Sequence, residues 1–98
     1  MDAFDQLNVH DATLKTVFFE WRDATCSLEI ERLSLGTGRL QFLGVSDVHI
    51  PRALPWGPSD SINGLRQYDG NFFEIELQSG DVLVIKAESW QFIGAQTP

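Results

Sequence analysis

Apolar and polar side chains alternate along several short runs of this sequence. The clearest run is FEIELQ at residues 73–78, and CSLEIE at residues 26–31 repeats the pattern. Successive side chains of a β-strand point to opposite faces of a sheet, whereas an amphipathic helix needs apolar residues every three or four positions. The alternation therefore predicts antiparallel strands with one buried and one solvated face, and at most one helical turn at residues 3–7.

Clusters of turn-forming residues separate the predicted strands. They are RDA at 22–24, SLGTG at 34–38, DGN at 69–71 and SGD at 79–81. Gly44 lies inside the predicted strand at residues 39–50 and marks a bulge or bend, because glycine weakens a strand interior. The dipeptide Asn63-Gly64 has two interpretations, since it is either a hairpin turn or part of a short strand at residues 61–67.

The predicted fold is all-β: an antiparallel meander of about six to seven strands in a curled sheet, forming a sandwich or a partly open barrel. The strand candidates are residues 13–21, 26–31, 39–50, 61–67, 73–78, 82–87 and 89–93. The run VLVI at residues 82–85 is apolar on both faces, so we expect it in the middle of a sheet or between two layers. A chain of 98 residues has the size of one core, so residues 1–98 are predicted to form a single β domain.

The single cysteine and the first residues of the sequence indicate the cellular compartment of the protein. Cys26 is the only cysteine, so no disulfide can form within the chain and a reducing compartment is favoured. It shares the apolar phase of its strand with Leu28 and Ile30, which predicts a buried, unreactive thiol. The first residues carry acids rather than the basic segment of a signal peptide, and the longest apolar run has four residues. We expect a cytoplasmic protein.

The chain is acidic, but its charge is unevenly distributed. Fourteen acidic and seven basic side chains give a net charge of −7. This charge opposes binding to nucleic acid and to anionic lipid, so neither nucleic acid nor a membrane is a predicted partner. Residues 32–66 differ because they hold four arginines, Arg32, Arg39, Arg52 and Arg66, and only two aspartates. Either these arginines pair with glutamates of neighbouring strands, or they form a basic patch for an acidic partner.

The two histidines do not suggest a catalytic or metal site. His10 precedes Asp11, but adjacent residues on an extended strand point to opposite faces, so they are not expected to act as a base and its orienting carboxylate. A structural role for Asp11 at the start of the first strand is expected instead. Zinc needs at least three protein ligands, and no H-x-H or C-x-x-C pair accompanies His10 and His49. No metal and no cofactor is predicted.

Nucleophilic and acid–base catalysis also lack a setting in the sequence. Ser59 and Ser61 lie outside any G-x-S-x-G motif, and no glycine-rich loop precedes a helix that would hold phosphate. Glu74 and Glu76 lie on one face of a predicted strand, where a solvated, solubilising role is expected. The chain is therefore predicted not to be an enzyme.

The stretch PRALPWGPSDSING at residues 51–64 is the longest interruption between predicted strands. Its prolines reduce the conformational freedom of the unbound loop, and Gly57 lets the backbone turn beside Trp56. Trp56 is therefore either a binding anchor or a lid on the open end of the sheet. The candidate binding residues are Arg52, Trp56, Ser59, Ser61, Asn63 and Arg66.

Three stretches resemble a family of small bacterial domains. LNVHDATLKTVFFEW at residues 7–21 is similar to the opening of predicted immunity proteins of polymorphic toxin systems and of related uncharacterised families. IPRALPWGPSDSIN at 50–63 and ELQSGDVLVIKA at 76–87 resemble a longer signature of small proteobacterial proteins. The resemblance implies a stoichiometric inhibitor or another protein-binding module, and it brings no catalytic residues.

Three functional hypotheses follow from these observations. The first is a non-enzymatic protein-binding module that uses residues 51–64, with a bacterial toxin as the candidate partner. The second is a small-ligand-binding or enzymatic barrel built around His10, His49 and Trp56. The third is self-association as a dimer, because sheet edges are templates for pairing.

Overall fold

The computed structural model describes residues 4–32, 36–53 and 61–94. Its elements are a 3₁₀ turn, Phe4–Gln6, followed by β1 Thr13–Glu20, β2 Thr25–Arg32, β3 Gly36–Leu43, β4 Asp47–His49, β5 Ile62–Tyr68, β6 Phe72–Leu77, β7 Val82–Lys86 and β8 Ser89–Gly94. None of the described residues belongs to a helix long and apolar enough to cross a membrane.

The strands form two four-stranded antiparallel sheets, which confirms the all-β prediction. The first sheet has the order β1-β2-β3-β8, and the second has the order β4-β7-β6-β5, so neither closes into a barrel. β1-β2-β3 and β5-β6-β7 are meanders, as expected. The other pairings are less local than a meander, because β8 returns to β3 and β4 pairs with β7. The described residues form eight strands and not six or seven, because one predicted strand divides in two.

The run predicted as one strand at residues 39–50 divides at Gly44 into strands of different sheets. β3 ends at Leu43 and β4 begins at Asp47. Gly44 has a φ of 64°, in the left-handed region that favours glycine. A Cβ at this position would also lie 2.7 Å from the carboxyl carbon of Glu88. The bend predicted at Gly44 is confirmed, whereas the single continuous strand is wrong.

The dipeptide Asn63-Gly64 belongs to a strand and not to a hairpin turn. The β5–β6 register shifts between Ile62 and Gly64, so Asn63 is the extra residue of a β-bulge. Its Nδ2 donates a hydrogen bond of 2.8 Å to Oε1 of Glu76 on the neighbouring strand. The predicted turns at 69–71 and 79–81 do connect β5 to β6 and β6 to β7.

Phe4 packs between the two sheets and links them into one core. Its ring centroid lies 5.8 Å from Phe42 of β3, 5.0 Å from Phe73 of β6 and 5.2 Å from Trp90 of β8. Phe42 and Phe73 also contact each other directly across the sheets, at 5.2 Å. Cys26 is fully buried in this core, as predicted.

Residues between the 3₁₀ turn and β1 join the two sheets at one corner. The backbone N–H of Asp11 donates to the carbonyl of Ile62 at 2.9 Å, and the N–H of Ile62 donates to the carbonyl of Ala12 at 2.8 Å. An isolated bridge then pairs Thr13 with Ser61. Beyond Thr13, β1 is an edge strand whose only described strand partner is β2.

Candidate functional site

The described ends of the predicted binding loop are both attached to the turn between β6 and β7. The backbone N–H of Ala53 donates to Oδ1 of Asp81 at 3.3 Å, and the carbonyl of Ser61 accepts from the N–H of Gln78 at 2.8 Å. Arg52, beside Ala53, is exposed. Trp56 and Ser59 lie outside the described residues, so their binding role stays a prediction.

The other candidate binding residues follow the edge strand β5. Ser61 pairs with Thr13, and Asn63 forms the bulge described above. Arg66 has its Nε 3.4 Å from Oε1 of Glu74 on β6, and its guanidinium lies 5.0 Å from the ring centroid of Tyr68. Each of these residues therefore has a structural partner within the fold.

Tyr68 belongs to a stack of rings and cations on the outer face of the second sheet. Its ring is parallel to that of Phe72 at 5.1 Å, and the Lys86 ammonium lies 5.4 Å from the Phe72 centroid. Burial raises the pKa of the Tyr68 hydroxyl above its ordinary value, and the carboxylate of Glu74 raises it further. Arg66 and Lys86, the two cations next to these rings, therefore contact aromatic side chains of their own sheet.

The same holds for two arginines of the first sheet. Arg39 on β3 has Nη2 3.7 Å from Oε2 of Glu29 on β2, and the guanidinium of Arg32 lies 4.7 Å from the Phe92 ring centroid. Together with Arg66, three of the four arginines in the basic block have partners in their own sheet. Arg39 and Arg66 lie near glutamates of neighbouring strands, whereas Arg32 contacts a ring two strands away. These contacts favour cross-strand pairing over a basic patch built from the whole block.

His10 and Asp11 do contact each other, contrary to expectation. Nδ1 of His10 lies 3.3 Å from Oδ2 of Asp11. The expectation assumed an extended strand, but the pair lies in a turn, where Asp11 has a φ of 69°. Asp11 also accepts a hydrogen bond from Nε2 of Gln78 and so ties this turn to the turn between β6 and β7.

The histidines do not converge on a common site in the described part of the chain. His10 is exposed before β1, and His49 is exposed on β4. Among residues 4–32, 36–53 and 61–94, no group of three or more His, Cys, Asp and Glu side chains is placed to hold a metal ion. The alternative site of His10, His49 and Trp56 gains no support from the two histidines.

The most distinctive surface is a row of exposed aromatic side chains that the sequence analysis did not identify as a site. Phe18 is 51% exposed, Phe19 is 39% exposed, and Trp21, directly after β1, is 86% exposed. Phe19 and Trp21 meet edge to face, with ring centroids 6.0 Å apart. We call these three residues the aromatic edge.

The position of β1 explains why these side chains reach solvent. Phe18 lies opposite Ser27 of β2 and points to the outer face of the sheet, whereas Phe19 lies opposite the buried Cys26 and points to the inner side. An edge strand has a neighbour on one flank only, so even its inward side chains are incompletely covered. Two adjacent aromatic residues in opposite phases, followed by Trp21, were the signal in the sequence.

An open cleft of about 540 Å³ adjoins the aromatic edge at the inner side of the first sheet. Its lining consists of Phe19, Trp21, Ala24, Val45, Ser46, Asp47 and Val48, and we call it the hairpin cleft. The backbone N–H of Val45 donates to the carbonyl of Ala24 at 2.8 Å and so fixes the β1–β2 hairpin against the crossing from β3 to β4. The two backbone segments that border the cleft are therefore held together by a hydrogen bond.

A second depression of about 400 Å³ lies on the other side of β1, on the outer face of the first sheet. We call it the outer groove; it is lined by Thr16, Phe18, Glu20, Asp23, Thr25, Ser27, Glu29, Arg39 and Gln41. Three of these side chains are acidic and one is basic, and Arg39 already lies near Glu29. The outer groove thus combines an exposed phenyl ring with an excess of negative charge.

Comparison with known proteins identifies the fold and no function. No protein-family model and no curated protein matches the sequence. The structure is similar to the crystal structure of an uncharacterized protein from Neisseria gonorrhoeae, with a TM-score of 0.58 and 18% sequence identity. The match covers 85% of this chain and 90% of that chain. At this identity the similarity concerns the fold alone, and the resemblance to immunity proteins stays a prediction.

Proposed function

We propose that this chain is a non-enzymatic protein-binding module whose contact surface is the aromatic edge with its hairpin cleft. The observation that carries the proposal is the 86% exposure of Trp21 beside a cleft of about 540 Å³. Tryptophan is among the residues that most often dominate the binding energy of protein interfaces. An exposed aromatic group beside an apolar cleft is typical of an interaction surface.

The surface is also built to bind with little loss of conformational freedom. Phe19 and Trp21 are carried by a hairpin of two eight-residue strands, and the hydrogen bond from Val45 to Ala24 holds the hairpin end. A contact surface that is already ordered requires less ordering when the complex forms. The proposed site thus consists of other residues than those of the predicted loop at 51–64.

We propose a partner protein in the cytoplasm, where the single free thiol of Cys26 stays reduced. A bacterial toxin is the candidate suggested by the resemblance of the sequence to immunity proteins. A second copy of the chain is the competing occupant of the same surface. The proposal assigns no reaction and no cofactor to the chain.

The first prediction concerns Trp21→Ala. Because Trp21 is almost fully exposed, its removal should change the free energy of unfolding by no more than about 0.5 kcal/mol. As a central anchor, it should weaken the complex with a protein captured from the native host by about 30-fold or more. Denaturant unfolding and titration of the purified pair measure the two effects.

Two further variants make this test specific. Ile93→Ala removes an apolar side chain that is 45% exposed on β8, the opposite edge strand of the same sheet, and should leave binding unchanged. Trp56→Ala tests the predicted loop. A partner that binds Trp21→Ala as tightly as the unmodified chain would contradict the proposal, and loss of binding in Trp56→Ala alone would assign the function to the loop.

A further inference from the structure

We infer that the partner contributes an extended, basic segment that pairs with β1 as an additional strand of the first sheet. This inference rests on the proposed function and specifies its binding mode. Adding a strand to an exposed sheet edge is a recurring mode of protein recognition, in which backbone hydrogen bonds provide affinity and alternate side chains provide specificity.

Two of the four edge strands that the structure describes, β4 and β5, have features that prevent such pairing. β4 is an edge of only three residues, and β5 has a bulge and is tied to residues 11–13. β1 has eight residues, and its segment Thr-Val-Phe-Phe at 16–19 carries no charge. Charged residues and bulges normally protect a long apolar edge. Residues 16–19 of β1 and the six residues of β8, which carry no charge and no bulge, are therefore open to an added strand. The aromatic edge and the two depressions beside it favour β1.

The bulge and the lysine of β1 are confined to its first half. The β1–β2 register shifts between Leu14 and Thr16, which places Lys15 at the bulge. The Lys15 ammonium lies 3.7 Å from Oε1 of Glu31 on β2, so its charge is directed towards the sheet and away from the open flank. The second half of β1, which carries Phe18 and Phe19 of the aromatic edge, has neither a bulge nor a lysine.

The two depressions beside β1 define which side chains an added strand should carry. Alternate side chains of that strand would point to opposite faces of the sheet. On the inner side the hairpin cleft offers Phe19, Trp21 and Val48, which suit an aliphatic side chain. On the outer side Glu20 and Asp23 line the outer groove and suit lysine or arginine.

Net charge distinguishes this partner from a second copy of the chain. Two copies would each bring a net charge of −7 and the same acids around the hairpin, so they repel each other during encounter. A basic segment is attracted by the same field, and the attraction steers it towards Glu20 and Asp23, which we call the acidic rim. The charge distribution therefore favours a basic partner over a homodimer.

The test uses synthetic peptides and the full chain, observed by NMR. One peptide of about eight residues, a typical strand length, alternates valine with lysine and arginine, and its counterpart alternates valine with glutamate and aspartate. We expect the basic peptide to bind at least about tenfold more tightly, to shift the amide signals of residues 16–19, and to weaken as salt increases. N-methylation of alternate peptide amides should abolish binding in one phase and spare it in the other, because only alternate N–H groups would face β1.

Charge-matched variants test the role of the acidic rim. Glu20→Lys with Asp23→Lys should remove the preference for the basic peptide. Asp5→Lys with Glu76→Lys changes the net charge equally, away from β1, and should retain the preference.

Three results would overturn the inference. The first is equal binding of the two peptides, or binding of neither. The second is peptide binding that N-methylation does not weaken in either phase. The third is a dimer of the chain formed through β1. A natural partner that needs Trp21 yet leaves the amide exchange of residues 16–19 unchanged would refute strand addition and keep the proposed function. A partner indifferent to Trp21 would instead refute the proposed function.

Discussion

Cys26 illustrates how burial alters the chemistry of a single side chain. The residue is fully buried on β2, and burial raises the pKa of its thiol from 9.0 to about 11. Since the pKa is higher in the folded chain, the protonated thiol contributes its full stabilisation of the folded state below pH 9.0. This contribution is lost as the pH rises to about 11. The shift corresponds to about 3 kcal/mol. We therefore expect the free energy of unfolding to fall by up to about 3 kcal/mol more over this range in the unmodified chain than in Cys26→Ala.

Denaturant unfolding at a series of pH values measures this difference. All other ionisable groups are common to both chains, so the comparison isolates the thiol. Identical alkaline losses of stability in the two chains would contradict the prediction. Labelling of native Cys26 by a thiol reagent at neutral pH as fast as that of denatured protein would contradict its burial.

The role of Trp56 stays a prediction. If it covers the open end of the sheet, Trp56→Ala should lower the free energy of unfolding by about 3 to 5 kcal/mol. If it is an exposed anchor, the change should stay within about 0.5 kcal/mol and partner binding should weaken. Denaturant unfolding beside partner capture distinguishes the two, and a destabilised variant that binds normally excludes the anchor.

At the scale of elements, Gly44 decides where one strand ends and the next sheet begins. Its positive φ costs a residue with a side chain about 1 to 2 kcal/mol, and a Cβ would also displace the Glu88 carboxyl, 2.7 Å away. We expect Gly44→Ala to lower the free energy of unfolding by about 2 kcal/mol. Gly64→Ala is the matched control, because a Cβ added there would meet no atom within 4 Å beyond its chain neighbours. Equal stabilities of the two variants in denaturant unfolding would show that Gly44 does not impose the bend.

The β1–β2 hairpin is the second element with consequences for function. Its strands are formed by local alternation, but the exposure of its aromatic residues arises from the place of β1 at the sheet edge. The hydrogen bond from Val45 to Ala24 then connects the hairpin end to the crossing between the sheets. A local hairpin and a non-local crossing are both required to make the hairpin cleft.

At the scale of the whole molecule, Phe4 joins the two sheets, and we expect them to unfold as one cooperative unit. It is fully buried and contacts rings from both sheets, although it lies outside every strand. Phe4→Ala should lower the free energy of unfolding by about 3 to 5 kcal/mol, whereas the exposed neighbour Asp5→Ala should change it by no more than about 0.5 kcal/mol.

Circular dichroism should show a β-dominated spectrum, and it should report the same unfolding transition as tryptophan fluorescence. Separate transitions would indicate that the sheets unfold independently.

The elements whose pattern is local could be predicted from the sequence alone. The alternation at residues 26–31 and 73–78 predicted β2 and β6 and placed Cys26 in the core, because side-chain direction in a strand depends only on neighbouring residues. The apolar run at 82–85 likewise predicted an interior strand, and β7 lies between β4 and β6.

Pairing between strands that are not neighbours in the sequence could not be predicted and is seen only in the three-dimensional fold. The pairing of β8 with β3 and of β4 with β7 depends on contacts between distant segments, and these contacts assign the strands before and after Gly44 to different sheets. That pairing also leaves β1 at an edge, which exposes Phe18, Phe19 and Trp21. Exposure depends on what packs beside a strand, and alternation along the strand contains no information about that neighbour.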